Sequence, residues 1–302
     1  MELDRYEHEP VMADQVVRLL APRAGGVYCD ATVGGGGHAE RILEASQPDG
    51  RLVGIDRDSA ALQAARGRLL PYGDRVTLIH GDFSEAPAIL RALGVIPVDG
   101  FVLDLGVSSP QLDRPERGFS FRSEGPLDMR MDATRGETAA ELIRRVSRHE
   151  LERILREYGE ERFAGRIARA IKEAAGDNLL HTTKQLATVV ARAVPTRERK
   201  KDPATRTFQA LRIAVNQELD EITKFLESFA PLLRPGGRIV VIAFHSLEDR
   251  IVKHRLRAHA GLRVLTKKPL VPSRAEILRN PRARSARLRA AEAAAAAEKE
   301  SA

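Results

Sequence analysis

Asp30, Asp56, Asp82 and Asp104 each stand at or just after the end of a short apolar segment. The first opens the run Asp30-Ala31-Thr32-Val33-Gly34-Gly35-Gly36-Gly37-His38. Carboxylates accept hydrogen bonds from hydroxyl and amino groups and pair with cations, and glycines let backbone approach a ligand closely. Placed before a helix, such a turn also aims backbone N–H groups at what it cradles. Asp56 follows the glycines by about twenty residues, the interval at which an acid reaches ribose hydroxyls in nucleotide-binding α/β folds. The chemistry this implies is capture of a nucleoside-bearing cofactor.

The glycines alone leave two ligands open. Gly34-x-Gly36-x-x-Ala39 satisfies the dinucleotide pattern and admits a nicotinamide cofactor. Asp30-x-Thr32-x-Gly34-x-Gly36 resembles the first motif of methyltransferases that use S-adenosyl-L-methionine, with Thr32 where a glycine usually sits. An acid at Asp30 would answer a cationic amino group and repel a pyrophosphate. Asp82 and Phe83 offer a polar group and a ring for an adenine, although a capped turn with a core phenylalanine explains them equally well.

These residues need a scaffold that gathers strand ends. Residues 26–30, 51–56, 76–80 and 98–105 read as apolar strands, and residues 13–20, 39–45, 60–70 and 86–93 as the helices around them. Alternation of this kind implies a doubly wound, parallel, Rossmann-like α/β sheet, with ligands at the carboxyl ends of its strands. The rhythm then breaks. Residues 115–207 show helical periodicity and no strand, which predicts an all-helical domain inserted between sheet segments 1–114 and 208–290. Phe208, Leu211, Val215, Leu219, Ile222, Leu226 and Phe229 predict one long amphipathic helix returning to the sheet. Residues 238–244 read as a fifth strand, with His245-Ser246-Leu247-Glu248-Asp249 at the ligand edge and a basic helix after it. Residues 262–265 and 285–289 are candidate last strands, and the alanine-rich residues 291–302 read as a tail.

No run approaches the roughly twenty apolar residues of a membrane span, and the charged start Met1-Glu2-Leu3-Asp4-Arg5 lacks the core of a signal peptide. A single cysteine, Cys29, excludes an internal disulfide framework or a cysteine-rich zinc site. The expectation is a cytoplasmic protein without a metal. The net charge of +7 is unevenly placed: residues 250–289 hold thirteen Lys/Arg against the single acid Glu276. Such an excess suits a polyanionic partner, or else a solvated basic face.

Eight segments in order resemble the small-subunit ribosomal RNA methyltransferase H family, also called MraW. They include His8-x-Pro10-Val11, Asp30-x-Thr32-x-Gly34-x-Gly36-Gly37-His38, Asp104-Leu105-Gly106-Val107-Ser108-Ser109-x-Gln111-Leu112-Asp113 and Arg117-Gly118-Phe119-Ser120-Phe121. Tyr158-Gly159-Glu160-Glu161, the run 205–212, Phe244-His245-Ser246-Leu247-Glu248-Asp249-Arg250 and the run 280–285 complete the set. The resemblance implies a seven-strand methyltransferase sheet with a helical insert. It also implies transfer of methyl from S-adenosyl-L-methionine to cytosine N4 in the decoding region of 16S rRNA. Gly36, Gly37, His38, Asp56, Phe83, Asp104 and Gln111 carry over as cofactor contacts, joining Asp30, Gly34 and Asp82 from the residue reading.

Under that resemblance Asp104 with Ser108 or Ser109 are the candidates to face the target amine, with His245 and Ser246 as second choice. A histidine that merely satisfies a strand end explains His245 as well. Arg197, Arg199, Lys200 and Lys201, with the basic run from Arg250, are expected to hold RNA phosphates, in the small ribosomal subunit or in free rRNA. No buried high-pKa base is expected for the amine, because the nitrogen that has received a methyl sheds its proton readily to a weak acceptor or water. A nicotinamide oxidoreductase and a non-catalytic RNA-binding factor are the competing readings, and a homodimer is left open.

Overall fold

The computed structural model describes residues 10–195 and 202–294. The chain folds as two compact units, Val107–Glu218 and the chain on either side of it. The first unit opens with α1 (Ala13–Leu20), then alternates β1 (Val27–Asp30), α2 (Gly37–Ala45), β2 (Arg51–Asp56), α3 (Ser59–Leu69), β3 (Val76–His80), α4 (Ala86–Ala92) and β4 (Val98–Asp104). Every residue of β1 is buried, as are six of the seven of β4, the pattern of strands covered on both faces. Asp58 starts α3 by accepting the Ala60 N–H at 3.0 Å.

The second unit holds α5 (Ser109–Asp113), α6 (Ala139–Arg145), α7 (Arg148–Gly159), α8 (Ala164–Gly176), α9 (Thr183–Ala193) and α10 (Ala204–Asn216). Hydroxyls at Thr138, Ser147 and Thr182 cap α6, α7 and α9 by accepting the N–H three residues on. Leu151, Ile154, Ile167, Leu186 and Leu211 bury one shared core. The chain returns to the first unit through α11 (Glu218–Ser228), β5 (Leu233–Ala243), α12 (Ser246–Ala258), β6 (Leu262–Val264), α13 (Arg274–Arg279) and β7 (Arg287–Ala293).

The sheet has seven strands in the order β3-β2-β1-β4-β5-β7-β6. The first five are parallel, and β7 runs antiparallel between β5 and β6. One face packs α4, α11 and α12 on a core that includes Phe101, Phe225 and Phe229; the other packs α1, α2 and α3 around Ile42, Leu52 and Val240. The doubly wound seven-strand sheet with a helical insert is therefore present. Among the described residues, no helix is long and apolar enough to cross a membrane.

Three boundaries differ from the sequence reading. The second unit begins at Val107 and ends at Glu218, not at 115 and 207, because α10 buries Phe208 and Leu211 in the core of the insert. The predicted long helix is two helices, split at Gln217, whose φ of 51° is left-handed. There Asn216 Oδ1 accepts the Met131 N–H at 2.7 Å and its amide donates to Met129 O at 2.8 Å, which ties the helix end to a neighbouring loop. Finally, residues 291–293 are not tail. They belong to strand β7, with Ala290 and Ala291 wholly buried between β5 and β6.

Candidate cofactor site at the carboxyl ends of the strands

The strand order reverses between β1 and β4, and at such a switch point the connections part and leave a crevice. Asp30 ends β1, Asp104 ends β4 and Asp56 ends β2. The turn after Asp30 is stitched to both neighbours: the Ala31 N–H donates to Val102 O and the Val33 N–H to Ile55 O, each at 2.9 Å. Thr32 Oγ1 accepts the Asp104 N–H at 2.6 Å. The residue that breaks the glycine motif thus fastens the end of β4 to the turn. Gly34 N–H donates to Asp56 Oδ2 at 2.8 Å, and Asp58 N–H to Asp56 Oδ1 at the same distance. Gly34 and Gly36 take φ values of +52° and +85°, and a Cβ on Gly36 would lie 3.2 Å from Leu69 Cγ. Conformation favours glycine at both, and at Gly36 an added Cβ would also press on Leu69.

Three polar side chains are gathered with atoms left unsatisfied. Asp30 is 1% exposed; its Oδ1 accepts the Thr32 N–H at 3.2 Å, while its Oδ2 is buried with no hydrogen-bond partner. Burial raises the carboxyl to about 7, opposed by His38 and the Thr32 N–H and aided by the like charges of Asp104 and Asp56. Buried His38 places Nε2 3.5 Å from Asp104 Oδ2, an ion-pair distance too long for a good hydrogen bond. Burial disfavours the imidazolium, but Asp104 and Asp30 outweigh it and raise His38 above its usual value. Asp56 is also raised, by burial, against the two N–H groups it accepts. At Asp30 only one oxygen is solvated by a backbone N–H; at Asp56 two N–H bonds do not outweigh the burial.

Asp82 and Phe83 follow β3. Asp82 Oδ1 lies 3.0 Å from Arg57 Nε. Phe83 is 8% exposed and belongs to the sheet core, edge-on to Phe225 with ring centroids 6.2 Å apart, and the Arg57 guanidinium stands 5.8 Å from its ring. Arg57 directly follows Asp56, and its position in the sequence carries no mark of its contacts with Asp82 and Phe83.

His245 follows β5 and caps α12, its Nδ1 accepting the Glu248 N–H at 3.4 Å, with Nε2 3.1 Å from Glu248 Oε1. Glu248 is fully buried and accepts the N–H groups of Phe244 and His245 at 2.7 and 3.2 Å. His245 thus has a structural role, and Ser246 is the first residue of the helix it caps.

Part of the basic run is committed internally. Arg289 and Arg287 pair with Asp249, the nearest contact 2.6 Å, and Arg263 pairs with Glu292 at 2.7 Å. Both acids stand just outside the 250–289 window, which is why the run looked unopposed.

Ser108, Ser109 and Gln111 belong to the second unit. Ser108 is the N-cap residue of α5, and buried Gln111 accepts the Ser108 N–H through Oε1 at 3.0 Å. Arg197, Arg199, Lys200 and Lys201 lie outside the described residues.

Residues 5–294 match the MraW methylase family. The chain belongs to that family. It is 52% identical over 307 residues to Ribosomal RNA small subunit methyltransferase H of Geobacter sulfurreducens, covering 95% of this chain and 99% of that one. The protein of the same name from Sorangium cellulosum is 55% identical over 293 residues, covering 97% and 92%. A solved structure of an rRNA methylase from Streptococcus thermophilus shares 11% identity at a TM-score of 0.44, covering 93% of each chain. Membership makes the chain a methyltransferase and removes the nicotinamide reading. The site suits a cationic cofactor with hydroxyls. Asp30 Oδ2 and Asp104 Oδ1 are buried acceptors without partners, and the glycine turn beside them leaves room for close approach.

Proposed function

We propose that the chain transfers a methyl group from S-adenosyl-L-methionine to the exocyclic N4 of a cytosine in the decoding region of 16S rRNA. Membership in the MraW family carries this reading, and the relatives' names point to small-subunit rRNA. The unsatisfied acid oxygens of Asp30 and Asp104 on either side of the switch point support it. The helical insert and the remaining basic side chains after Arg250 then serve to recognise RNA by shape and phosphate charge, in the cytoplasm where ribosomes are built.

The cofactor supplies a methyl already activated on a sulfonium, so the protein has chiefly to bind and align. Asp30 pairs with the cationic amino group. Asp56, each of whose oxygens takes a single backbone N–H, keeps lone pairs for ribose hydroxyls. Cytosine N4 is a weak nucleophile because its lone pair is delocalised into the ring. An N–H of that amine donated to Asp104 Oδ1 draws the nitrogen toward a tetrahedral form and stabilises the positive charge it develops. Thr32 positions Asp104 by holding its backbone. The methylated nitrogen is strongly acidic, and Asp104 or a water takes its proton. His38 beside Asp104 keeps the carboxylate from accumulating uncompensated charge.

The test is transfer of labelled methyl into 16S rRNA, free or in small subunits from cells lacking the modification, followed by nucleoside analysis. The label should elute as N4-methylcytidine. Label in any other nucleoside, or none with either substrate, overturns the proposal.

A further inference from the structure

The opposite edge of the same sheet carries a second polar site. At the amino ends of β1, β4 and β5, a cleft of about 230 Å3 is lined by Arg23, Tyr28, Asp99, Arg234, Gly237 and Arg238, among others. Asp99 and Asp104 sit five residues apart on β4, so the cleft lies roughly 17 Å from the cofactor rim at strand rise. No single nucleoside spans both.

The charges in the cleft do not balance. Asp99 is 7% exposed; its Oδ1 takes Arg23 Nη2 at 2.8 Å and Nε at 3.2 Å. Its Oδ2 takes the Val27 N–H at 2.8 Å and stands 3.2 Å from Arg234 Nη2. Across the cleft, Arg238 bonds Glu292 at 2.9 Å and Leu19 O at 3.0 Å, and Glu292 is shared with Arg263 at 2.7 Å. The lining holds three guanidinium groups against one carboxylate, an excess of two positive charges, and Glu292 outside it is shared between Arg238 and Arg263. Arg23 holds Asp99 through two bonds, and Arg234 reaches the other carboxylate oxygen while also donating to Pro97 O at 3.4 Å.

Two donors there also lack acceptors. Arg234 Nε is buried with no hydrogen-bond partner. The Tyr28 hydroxyl accepts the Arg23 N–H at 2.8 Å, and its own proton has no acceptor among the described residues. Buried donors without acceptors are costly and call for an explanation. The pairing of β4 with β5 jumps from Val98↔Leu233 to Gly100↔Arg238, so residues 234–237 bulge around Asp99, with Gly236 at φ +76°. Guanidinium forks, surplus positive charge and a turn of backbone fit an oxyanion with several acceptor oxygens.

We propose that this cleft binds a phosphoryl group, and that in the working enzyme the group belongs to the backbone of the RNA substrate. The second half rests on the proposed function; the first does not.

The full-length protein is titrated with inorganic pyrophosphate by calorimetry, with and without saturating S-adenosylhomocysteine. Pyrophosphate should bind equally in both, and at least about tenfold more weakly in Arg234→Gln and in Arg23→Gln. The Arg23 side chain is 64% exposed, unchanged S-adenosylhomocysteine affinity reports that each variant is folded, and Arg23→Lys should restore part of the pyrophosphate affinity. A labelled 16S rRNA fragment is then bound at several salt concentrations. Arg23→Gln should weaken it about threefold or more and lower the salt slope by about one, with S-adenosylhomocysteine affinity unchanged. Absent pyrophosphate binding by a protein that still binds S-adenosylhomocysteine overturns the site. Pyrophosphate binding with RNA affinity and slope unaltered by the variants overturns the RNA half and assigns the cleft to a free small phosphate. Absence of methyl transfer to rRNA by the wild-type protein, with the pyrophosphate result intact, sinks the proposed function and leaves the cleft standing.

Discussion

Affinity for S-adenosylhomocysteine, whose amino group is a cation, should fall about tenfold for each pH unit below 7 and level off above it. The cause is Asp30. Burial holds its carboxyl at about 7, Asp104 and Asp56 add like charge, and His38 with the Thr32 N–H pulls the other way. An acid with that pKa is about nine-tenths protonated at pH 6 and about one-tenth at pH 8. To pair with the ligand's cation it must ionise, so binding should release about 0.9 proton at pH 6 and about 0.1 at pH 8. Calorimetry in two buffers of different ionisation heat reads that number directly. Asp30→Asn should abolish the proton release and flatten the profile, at lower affinity above pH 7.

The same shift has a stability counterpart of defined sign. The folded pKa is raised from 3.8 to about 7, so the ionised form carries a penalty of about 4 kcal/mol that is complete above pH 7 and vanishes below about pH 4. Asp30→Asn should therefore stabilise the ligand-free protein more at pH 8 than at pH 5. Affinity that is flat from pH 6 to 8, with no proton released at pH 6, would show that Asp30 never meets the ligand's cation.

Three further outcomes follow from the same geometry. Asp104→Ala should abolish methyl transfer; turnover and cofactor affinity both surviving within a few fold would remove Asp104 from the site. Gly36→Ala should cost about 1–2 kcal/mol in denaturant unfolding and weaken cofactor binding, since alanine is strained at φ +85° and its Cβ presses on Leu69. Arg289→Ala should cost about 1.5–3 kcal/mol at pH 7 by removing the charge-assisted bonds to Asp249 and leaving it with Arg287 alone. Burial opposes ionisation of Asp249, but Arg289 and Arg287 hold its pKa below 3.8, so their contribution is present above that value and lost as pH falls through the lower folded one. Thermal melts at pH 7 and near pH 3 should therefore show the gap between wild type and Arg289→Ala closing in acid.

The sheet and its carboxylate rim were legible because they are written locally. A strand of buried β-branched and aliphatic residues, a turn, and an acid at the strand end occupy a dozen contiguous positions, and a parallel sheet collects such ends on one edge. What escaped the sequence joins residues far apart in it. Thr32 reads as a flaw in the glycine motif until its hydroxyl meets the Asp104 N–H, 72 positions on. Asp249 and Arg289 are 40 positions apart, and Asp99 and Arg23 are 76 apart. The split at Gln217 was hidden for a different reason. Val215, Leu219 and Ile222 keep helical spacing across the break, yet Val215 packs on the core of the insert and Leu219 and Ile222 on that of the sheet. An apolar stripe records that a face is buried, not which core buries it.

Asp30 extends that distinction to chemistry. Its place at the end of β1 could be read from eight residues, but its proton affinity depends on how completely the fold withdraws it from water and on which donors reach each oxygen. One N–H reaches Oδ1 and none reaches Oδ2. With Asp104 and Asp56 adding like charge, an ionised Asp30 is costly until a cation arrives to share the site, and His38 alone does not offset that cost. A rim arranged this way holds its charge in reserve, and a cationic cofactor is the kind of ligand that releases it.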